Sequence, residues 1–442
     1  MPPKIIVLDD DPTGSQTVHG CLLLTRWDVG TLKQGLADAS PLLFVLTNTR
    51  GMGAVEAAQV TRAACHNLKL AMTGFDRPAL FVSRSDSTLR GHYPVETDVM
   101  AEQLGPFDAH FLIPAFFEGG RFTVDSVHYL KVGGKAVPVH ETEFARDSVF
   151  GYRHSFLPDY VEQKTRGRIK ADAVLRFTLN DIRAGTLDRL MALQGNACCV
   201  VDAESQADLN RFADDLEQAA GQGKRFLFRS AASLLTALAR LPPQPVPAED
   251  MQRYVKDGRP GVVVVGSHVK KTTEQLAVLL QQEGIVAVEV DVSRMPEQSA
   301  ALLQEVLAKV AQAHQRGLTP VVFTSRVERQ FPDQATRLAF GEHVSGFLMD
   351  VVHGLPATIG FIISKGGITS NDMLSKGLAL PTARLVGQIL AGCSVVLTPA
   401  DHPFPGIPVV IFPGNVGDEH ALTQAWLRLT AQKRMATDGQ GQ

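Results

Sequence analysis

The sequence predicts an α/β protein with two domains, each built on a largely parallel sheet flanked by helices. At 442 residues the chain is too long for one ordinary core, and 45% hydrophobic and 20% charged residues are typical of globular domains. Short apolar runs alternate with amphipathic stretches along most of the chain. One proline-rich segment interrupts this alternation, which indicates a division into two domains.

The first half contains five apolar runs that are predicted to be strands: "KIIVLDD", "PLLFVLTNT", "PALFVSRSD", "HFLIPAF" and "ACCVVDA". Helix-like segments separate them, for example "GAVEAAQVTRAACHNLKLAM" over residues 53–72. Continuous apolar runs, unlike alternating ones, are typical of strands buried on both faces. This part of the chain therefore predicts βα units and a parallel sheet.

The alternation stops at "LPPQPVP", residues 241–247, so residues 241–258 are predicted to be a linker. It separates an N-terminal domain, residues 1–240, from a C-terminal domain, residues 259–430. In the second domain, strands are predicted at "GVVVVGS", "IVAVEVDV", "PVVFTS", "TIGFIIS", "CSVVLT" and "PVVIFPGN". Residues 431–442 are predicted to be a flexible tail.

Composition excludes several classes of partner. The net charge of -3 comes from interspersed charges, which gives no basic surface for nucleic acid or an anionic membrane. The five cysteines are scattered, without zinc-binding spacing or a disulfide framework, as expected in a reducing cytosol. There is no signal peptide pattern and no run of roughly 18 apolar residues. We therefore predict a cytoplasmic protein with small-molecule partners.

Three carboxylates, Asp9, Asp10 and Asp11, end the first predicted strand. Ligands of open parallel sheets bind beyond the carboxyl ends of the strands. Adjacent carboxylates repel one another, and that cost is tolerated when they bind a cation, accept a proton from a substrate or receive amide hydrogen bonds. We predict a functional cluster; the alternative is that one aspartate caps the next turn while the others are solvated.

Arginines, hydroxyls and an aspartate follow the next two predicted strands. Guanidinium groups bind a carboxylate through two parallel hydrogen bonds, and hydroxyl or carboxylate side chains bind sugar hydroxyls. This combination suits an acidic polyol, although a polar turn with an Arg–Asp ion pair would look similar. The substrate-binding candidates are Asp9, Asn48, Arg50, Arg84, Ser87 and Arg90, and the catalytic candidates are Asp10, Asp11 and Asp86. The spacing of the nearby histidines, His128, His140 and His154, matches no metal signature, and the metal ligands stay unassigned.

The second half has three loops that each follow an aliphatic strand and precede a helix: "GSH" at 266–268, "SKGGITSND" at 364–372 and "PGNVGD" at 413–418. Glycine in such loops lets a ligand approach the backbone, and helix N-termini attract phosphate. Three such loops together indicate a phosphate or nucleotide cleft, although neither the GxxxxGK[ST] motif nor the GxGxxG motif is present. Each loop alone could be an ordinary turn with a glycine cap.

The sequence resembles the four-carbon acid sugar kinase family, which phosphorylates tetronic acids such as threonate, erythronate or their 3-oxo relatives with ATP. The resemblance rests on blocks from both halves: "LDDDPTGSQTVHG", "SRSDSTLRGH", "PAFFEGGRFTVDSVHYL", "VPVHETEFARD", "VVVVGSHVKKTTEQL", "SKGGITSNDMLSKGL" and "FPGNVGD". It implies an N-terminal sugar-acid domain and a C-terminal nucleotide domain, joined by the proline-rich segment as hinge, with the active site in the cleft between them.

The same resemblance implies ATP contacts at Ser267, Gly366, Gly367, Ile368, Thr369 and Gly414. Many members carry an acidic residue at the place of Ile368, and Ala-Asp-Asp-Leu-Thr-Gly where this chain has Asp-Asp-Asp-Pro-Thr-Gly over residues 9–14.

The predicted function is an ATP- and Mg²⁺-dependent kinase that phosphorylates a hydroxyl, the terminal O4, of a four-carbon sugar acid. Its partners are then the acid and ATP, with a homodimer as a further hypothesis. Two alternatives stay open. Asp9 and Asp11 fit the DxDxT pattern of haloacid-dehalogenase-like phosphatases, in which the first aspartate is a nucleophile. A non-enzymatic two-domain ligand-binding protein would also have a cleft.

Overall fold

The computed structural model describes residues 3–326 and 331–430, so the predicted tail, residues 431–442, lies outside the described residues. The chain divides into two compact units, Met1–Gln244 with Ala379–Ser394 and Pro245–Leu378 with Val395–Gln442. The division at 244/245 falls within the predicted linker. The segment Ala379–Ser394, which the sequence analysis assigned to the second domain, belongs to the first unit because its strand pairs there.

The strands are β1 (Lys4–Asp9), β2 (Leu22–Leu24), β3 (Leu42–Leu46), β4 (Ala79–Arg84), β5 (Ala109–Ile113), β6 (Arg121–Val124), β7 (Val127–Val132), β8 (Lys135–Pro138), β9 (Leu175–Phe177), β10 (Ala197–Val201), β11 (Phe226–Ser230), β12 (Val262–Val265), β13 (Ile285–Val290), β14 (Thr319–Thr324), β15 (Ile362–Lys365), β16 (Thr382–Leu390), β17 (Cys393–Leu397) and β18 (Pro408–Phe412).

The α-helices are α1 (Val29–Ala37), α2 (Ala54–Ala71), α3 (Val95–Leu104), α4 (Leu157–Lys164), α5 (Leu179–Ala184), α6 (Leu187–Ala192), α7 (Gln206–Gly221), α8 (Ala232–Ala239), α9 (Lys270–Leu279), α10 (Ser299–Gln315), α11 (Gln334–His353), α12 (Gly367–Asp372) and α13 (Ala421–Leu427).

The sheet of the first unit has the strand order β16-β2-β3-β1-β4-β11-β5-β10-β9. Its pairings are parallel except for β16 against β2. The chain places β3 on one side of β1 and then β4 on the other, so β1 lies at a topological switch point. In such sheets the loops beyond the switch point leave room for a ligand. The register sets Asp9 opposite Leu46 and Arg84.

Helix α2 illustrates how the sequence pattern builds the core of this unit. Its buried residues recur at three- and four-residue spacing and include Ala57, Ala64, Cys65 and Leu68. That spacing puts them on one face of the helix. Ala64, Cys65 and Leu68 join a cluster that includes Leu43 of β3, and each fully buried leucine contributes about 1.5–3 kcal/mol.

A small antiparallel sheet, β6-β7-β8, also belongs to the first unit. Two-residue loops join its strands. Asp125 and Ser126 have φ of 52° and 64°, and Gly133 and Gly134 have φ of 56° and 81°. Positive φ at both loop residues is the backbone shape that matches the twist of a tight hairpin.

The sheet of the second unit has the order β13-β14-β12-β15-β18, and its strand pairings are parallel. After β14 the chain crosses to the other side of β12, so β12 and β15 flank the switch point of this sheet. Strand β17 contains the division between the two units.

The predicted fold class is confirmed: helices flank mostly parallel strands whose interiors are buried. For example, all six residues of β1 and all four of β12 are buried, as their continuous apolar runs predict. None of the helices within the described ranges is long and apolar enough to cross a membrane. Cys21, Cys65, Cys198, Cys199 and Cys393 are all free and buried.

Candidate active site

The residues predicted to bind the acid lie at the carboxyl ends of β1 and β4 or in the loops after β3 and β4, and these three strands lie side by side in the first unit. Because parallel strands end at the same edge of the sheet, their following loops meet there. Each of the four aspartates at this edge, Asp9, Asp10, Asp11 and Asp86, has a different environment.

Asp9 is completely buried. Its Oδ1 accepts a hydrogen bond from the backbone N–H of Asp11 at 3.4 Å, and its Oδ2 has no hydrogen-bond partner among the described residues. Burial raises the pKa of Asp9 well above its usual value, although the nearby positive charge of Arg84 opposes this shift. A Cβ at Gly14 would lie 2.0 Å from Asp9 Oδ1, so only glycine fits there.

Asp10 is held by two neighbours. The Arg50 guanidinium donates to it twice, from Nη2 to Oδ1 at 2.5 Å and from Nε to Oδ2 at 3.2 Å, and Ser85 Oγ donates to Oδ2 at 2.6 Å. The Asp10 side chain is only 1% exposed. Both of its oxygens are therefore already engaged, in the two-pronged geometry that favours Arg–carboxylate pairs.

Asp11 faces outward more than its neighbours, with a side chain that is 20% exposed. Its Oδ1 accepts hydrogen bonds from the backbone N–H of Thr13 at 2.8 Å and from the Thr13 hydroxyl. Asp11 thereby caps the short helical turn that follows β1. Its Oδ2 lies 3.4 Å from Arg50 Nη1. Burial alone would raise the pKa of Asp11, but Arg50 and the hydrogen bonds from Thr13 outweigh it and lower the pKa.

Asp86 and Arg90 form an ion pair within the loop after β4, with Arg90 Nε 2.9 Å from Asp86 Oδ2. The same oxygen accepts from the backbone N–H of Thr88 at 3.2 Å. Burial would raise the pKa of Asp86, but Arg90 and Arg50 hold it well below its usual range. The Arg90 guanidinium also lies 4.9 Å from the centre of the Phe144 ring. Arg90 thus has an internal partner.

Arg84 differs from Arg90. It is 4% exposed, and its Nε has no hydrogen-bond partner in the described part of the chain. Asn48 has a left-handed backbone with φ of 54°, and its N–H donates to Asp9 O at 3.3 Å. Ser87 is buried in the loop after β4. The six predicted acid-binding residues are therefore brought to one edge of the sheet, but Arg50 and Arg90 are paired with carboxylates.

Glu96, a buried residue of α3, was not predicted from the sequence. Its Oε1 accepts a hydrogen bond from Thr49 Oγ1 at 2.5 Å. Burial and the negative charge of Asp10 raise the pKa of Glu96 to about 7. The segment "PVETDVM" contains two acidic residues in a helical pattern and gives no signal that one of them is buried.

In the second unit, the residues predicted to contact ATP lie around the switch point. Ser267 follows β12, and Gly366 and Thr369 follow β15. Thr272 Oγ1 donates to Ser267 Oγ at 3.1 Å or to Gly414 O at 3.3 Å, which links α9 to the loop after β18. Gly366 has φ of 120°, and a Cβ there would lie 2.9 Å from Ser267 Cβ. The loop requires glycine at this position.

Gly367 begins α12, and Ile368 on its first turn is 75% exposed. Thr369 is buried. Lys365, at the end of β15, is fully buried, and its Nζ donates to Pro413 O at 2.6 Å and to Gly414 O at 3.2 Å. The lysine therefore fastens the loop after β18 to the sheet.

Arg326 is a second residue that the sequence analysis missed. Its Nη1 donates to Ser267 O at 2.8 Å, and its Nη2 donates to Thr273 Oγ1 at 2.6 Å. It follows β14 and so ends at the same sheet edge as Ser267. Its place directly after the apolar run "PVVFTS" was the available signal. In the described residues no group of three or more His, Cys, Asp or Glu side chains could hold a metal ion.

Comparisons with known proteins give one matching family model for each half of the chain. A family model described as a sugar-binding N-terminal domain matches residues 5–238, and one described as a nucleotide-binding C-terminal domain matches residues 262–422.

Three curated relatives are similar in sequence. A D-erythronate kinase from Heliobacterium modesticaldum is 28% identical over 48% of this chain and 47% of its own length. A D-threonate kinase from Bordetella bronchiseptica is 31% identical over 48% of this chain and 49% of its own. With these two the match spans about half the length of the relative. A D-threonate kinase from Cupriavidus necator is 25% identical over 84% of this chain and 85% of its own length.

Two solved structures share the fold. One, from Salmonella typhimurium LT2, has a TM-score of 0.69 and 18% identity over 96% of this chain and 98% of its own. The other, from Haemophilus influenzae, has a TM-score of 0.62 and 17% identity over 95% of this chain and 98% of its own.

Proposed function

The chain belongs to the four-carbon acid sugar kinase family, and from this we propose that it transfers the γ-phosphoryl group of ATP to a hydroxyl of a four-carbon sugar acid. The terminal O4 is the proposed acceptor. The observation that carries the proposal is Arg84, a buried cation at the switch point of the first sheet whose Nε has no partner among the described residues. A buried charge of this kind is costly unless an anion pairs with it.

We assign the substrate carboxylate to Arg84. Arg90 and Arg50 already have internal carboxylate partners, at 2.9 Å and 2.5 Å respectively, so a ligand would have to compete for them. Asn48 and Ser87 lie at the same edge and offer an amide and a hydroxyl to the hydroxyls of the acid. Asp9, whose pKa burial raises, lies beside Arg84 on the neighbouring strand.

We assign the role of general base to Asp11. Both oxygens of Asp10 are engaged by Arg50 and Ser85, and Asp86 is engaged by Arg90. Asp11 is the more exposed member of the cluster after β1, and its Oδ2 has only a distant contact with Arg50 at 3.4 Å. In phosphoryl transfer an aspartate carboxylate can orient the attacking hydroxyl and accept its proton.

We assign ATP to the loops around Ser267, Gly366–Thr369 and Gly414 in the second unit. Glycine allows the phosphates to approach the backbone, and Arg326, which is fixed to Ser267 O at 2.8 Å, adds positive charge. Because the described residues lack a cluster of metal ligands, we propose that Mg²⁺ enters with ATP and is held mainly by its phosphates. Bound there, it would neutralise charge on the transferred group.

The phosphatase alternative would require Asp9 as the nucleophile. Asp9 is 0% exposed, and the backbone of Gly14 packs so closely on it that a Cβ there would lie 2.0 Å from its Oδ1. A phosphate monoester would therefore contact the backbone before it reached the Asp9 carboxylate. This burial favours the kinase over the phosphatase.

The proposal is tested by measuring ADP release with ATP, Mg²⁺ and a panel of tetronic acids that includes D-erythronate and D-threonate. We expect ADP release only when an acid is present. Arg84→Ala should raise the KM for the acid by about 10- to 100-fold, the loss of one charge-assisted contact, and leave the KM for ATP unchanged. Arg84→Lys should recover part of the loss because it restores the charge without the fork.

Arg62→Ala is the matched control, because Arg62 is exposed on α2 and pairs with Glu102 at 2.6 Å. An unchanged acid KM in folded Arg84→Ala protein would refute the assignment of Arg84. ATP hydrolysis that is independent of every acid would refute the kinase function.

Two further proposals concern the context of the enzyme. The free, buried cysteines support a cytoplasmic location. A homodimer remains a proposal that light scattering on the purified protein would test.

A further inference from the structure

The loop from Asp86 to Arg90 is held through its backbone carbonyls. Each of these five consecutive carbonyl oxygens accepts a hydrogen bond from a side chain. The donors are Arg229 Nη1 to Asp86 O at 2.9 Å, His128 Nε2 to Ser87 O at 2.8 Å, Tyr152 Oη to Thr88 O at 2.6 Å, Tyr160 Oη to Leu89 O at 2.8 Å, and Arg229 Nη2 to Arg90 O at 2.8 Å.

These donors come from distant parts of the first unit. Arg229 is on β11, His128 on β7 and Tyr160 on α4, and Tyr152 precedes α4. All four are buried, with exposures of 0–4%. Buried donors must be paired, and they are paired here with a loop instead of with each other. The carbonyl side of the loop is therefore directed into the protein interior.

The N–H side of the same loop is different. The backbone N–H groups of Ser87 and Arg90 donate to no residue in the described ranges. Two backbone N–H groups of the loop can therefore donate to a ligand, whereas its five carbonyl oxygens already accept hydrogen bonds from the protein. That division suits an anionic ligand such as a sugar acid.

The donors keep their protons at neutral pH. Burial lowers the pKa of His128 to about 4, so its ring is neutral. We assign the proton to Nε2, since Nδ1 lies 2.9 Å from the hydroxyl of Thr123, which can donate to it. Burial raises the pKa of Tyr160 to about 12 and also raises that of Tyr152. The pattern of hydrogen bonds is thus stable across the physiological range.

We propose that Arg229, His128, Tyr152 and Tyr160 are positioning residues for the acid. They fix the shape of the 86–90 loop, so that the backbone N–H groups of Ser87 and Arg90 and the Ser87 hydroxyl meet the substrate without rearrangement. Preorganisation of this kind lowers the cost of ordering a loop on binding. The inference rests on the proposed function and deepens it.

The experiment compares three tyrosine-to-phenylalanine variants, each of which removes one buried hydroxyl. Tyr152→Phe and Tyr160→Phe remove a bond to the loop. Tyr93→Phe is the matched control, because Tyr93 is buried in the same cluster and stacks on Tyr160, but its hydroxyl contacts Cys198 Sγ at 3.9 Å. Steady-state kinetics are measured for the acid and for ATP separately, together with the thermal unfolding midpoint.

We expect the KM for the acid to rise about five- to tenfold in Tyr152→Phe and in Tyr160→Phe, the effect of losing one neutral hydrogen bond. The KM for ATP should stay unchanged, and Tyr93→Phe should keep the acid KM of the unmodified protein. Normal turnover with an unaltered acid KM in both loop variants, or the same rise in Tyr93→Phe, would overturn the inference alone. Failure of the unmodified protein to use any tetronic acid would overturn the proposed function and this inference with it.

Discussion

Replacing Asp10 and Asp11 separately by asparagine should produce two different defects. The two residues are adjacent in sequence, yet Asp10 is bound on both oxygens and Asp11 has one oxygen nearly free. We expect Asp10→Asn to affect mainly stability and Asp11→Asn to affect mainly kcat.

The size of the Asp10 effect follows from its contacts. Arg50 reaches Asp10 at 2.5 Å and 3.2 Å, and Ser85 reaches it at 2.6 Å. Asparagine loses the charge and turns an N–H group toward one of these donors. Removing one partner of a buried pair costs about 3–5 kcal/mol. The lower end applies here, because Arg50 is 19% exposed and keeps Asp11 at 3.4 Å. We therefore expect a loss of about 3 kcal/mol in the free energy of unfolding.

Asp11→Asn should change the free energy of unfolding by about 1 kcal/mol or less, because asparagine caps a turn as well as aspartate does. Its kcat should fall at least about 100-fold with a general base removed, while ATP binding is retained. The assays are guanidinium unfolding followed by circular dichroism, and kcat with a saturating tetronic acid. Equal stability of the two variants would refute the account of Asp10, and a kcat near normal in Asp11→Asn would move the base elsewhere, with Asp86 as the next candidate.

Three other predictions concern burial and close contacts. The pKa of Glu96 is near 4.5 in the unfolded chain and about 7 in the folded protein, so ionising Glu96 in the folded protein is unfavourable. The free energy of unfolding should therefore fall as the pH rises from 5 to 8. Glu96→Gln should reduce that fall, as measured by thermal unfolding at both pH values. A Cβ at Gly414 would lie 3.3 Å from Ser267 Oγ, so Gly414→Val should narrow this loop and weaken ATP binding, measured by calorimetry on the folded protein. Retained affinity would exclude this loop from the ATP site. Gly14→Ala should lower the unfolding midpoint strongly, because its Cβ would overlap Asp9 Oδ1, and an unchanged midpoint would contradict that contact.

The strands with long apolar runs could be predicted from the sequence, because a strand that is buried on both faces has apolar residues at consecutive positions. β1, β3, β4 and β12 belong to this group. The small hairpin strands β6–β8 could not, since they are short and half-exposed. The place of β16 in the first unit could not be predicted either, because its partner β2 is more than 350 residues away in the chain.

The sequence predicts which strand ends form the candidate site, but it does not predict which arginine pairs with which carboxylate there. Asp9 and Arg84 end strands that the apolar runs reveal, and Asp11 and Arg90 lie in the loops that follow. Which arginine meets which carboxylate depends on the register that sets Asp9 opposite Arg84 and on side-chain directions. Buried charges such as Arg229 also carry no mark in the sequence, because an arginine at a strand end is usually solvated.

The two units use the same topology with different chemistry, and the proposed ligands explain the difference. In each sheet the chain changes direction beside its first strand, β1 or β12, and the candidate residues follow that strand and its neighbour. A sugar acid is small and carries one localised charge, so its loops need fixed side chains such as Arg84. A polyphosphate is larger and spreads its charge, so the loops that bind it need space and several backbone N–H groups. Glycine at positions 366 and 414 leaves that space. The glycines of the second unit and the carbonyl-bound loop of the first are thus two ways to present backbone donors to an anion, one by clearing space and the other by fixing the loop from behind.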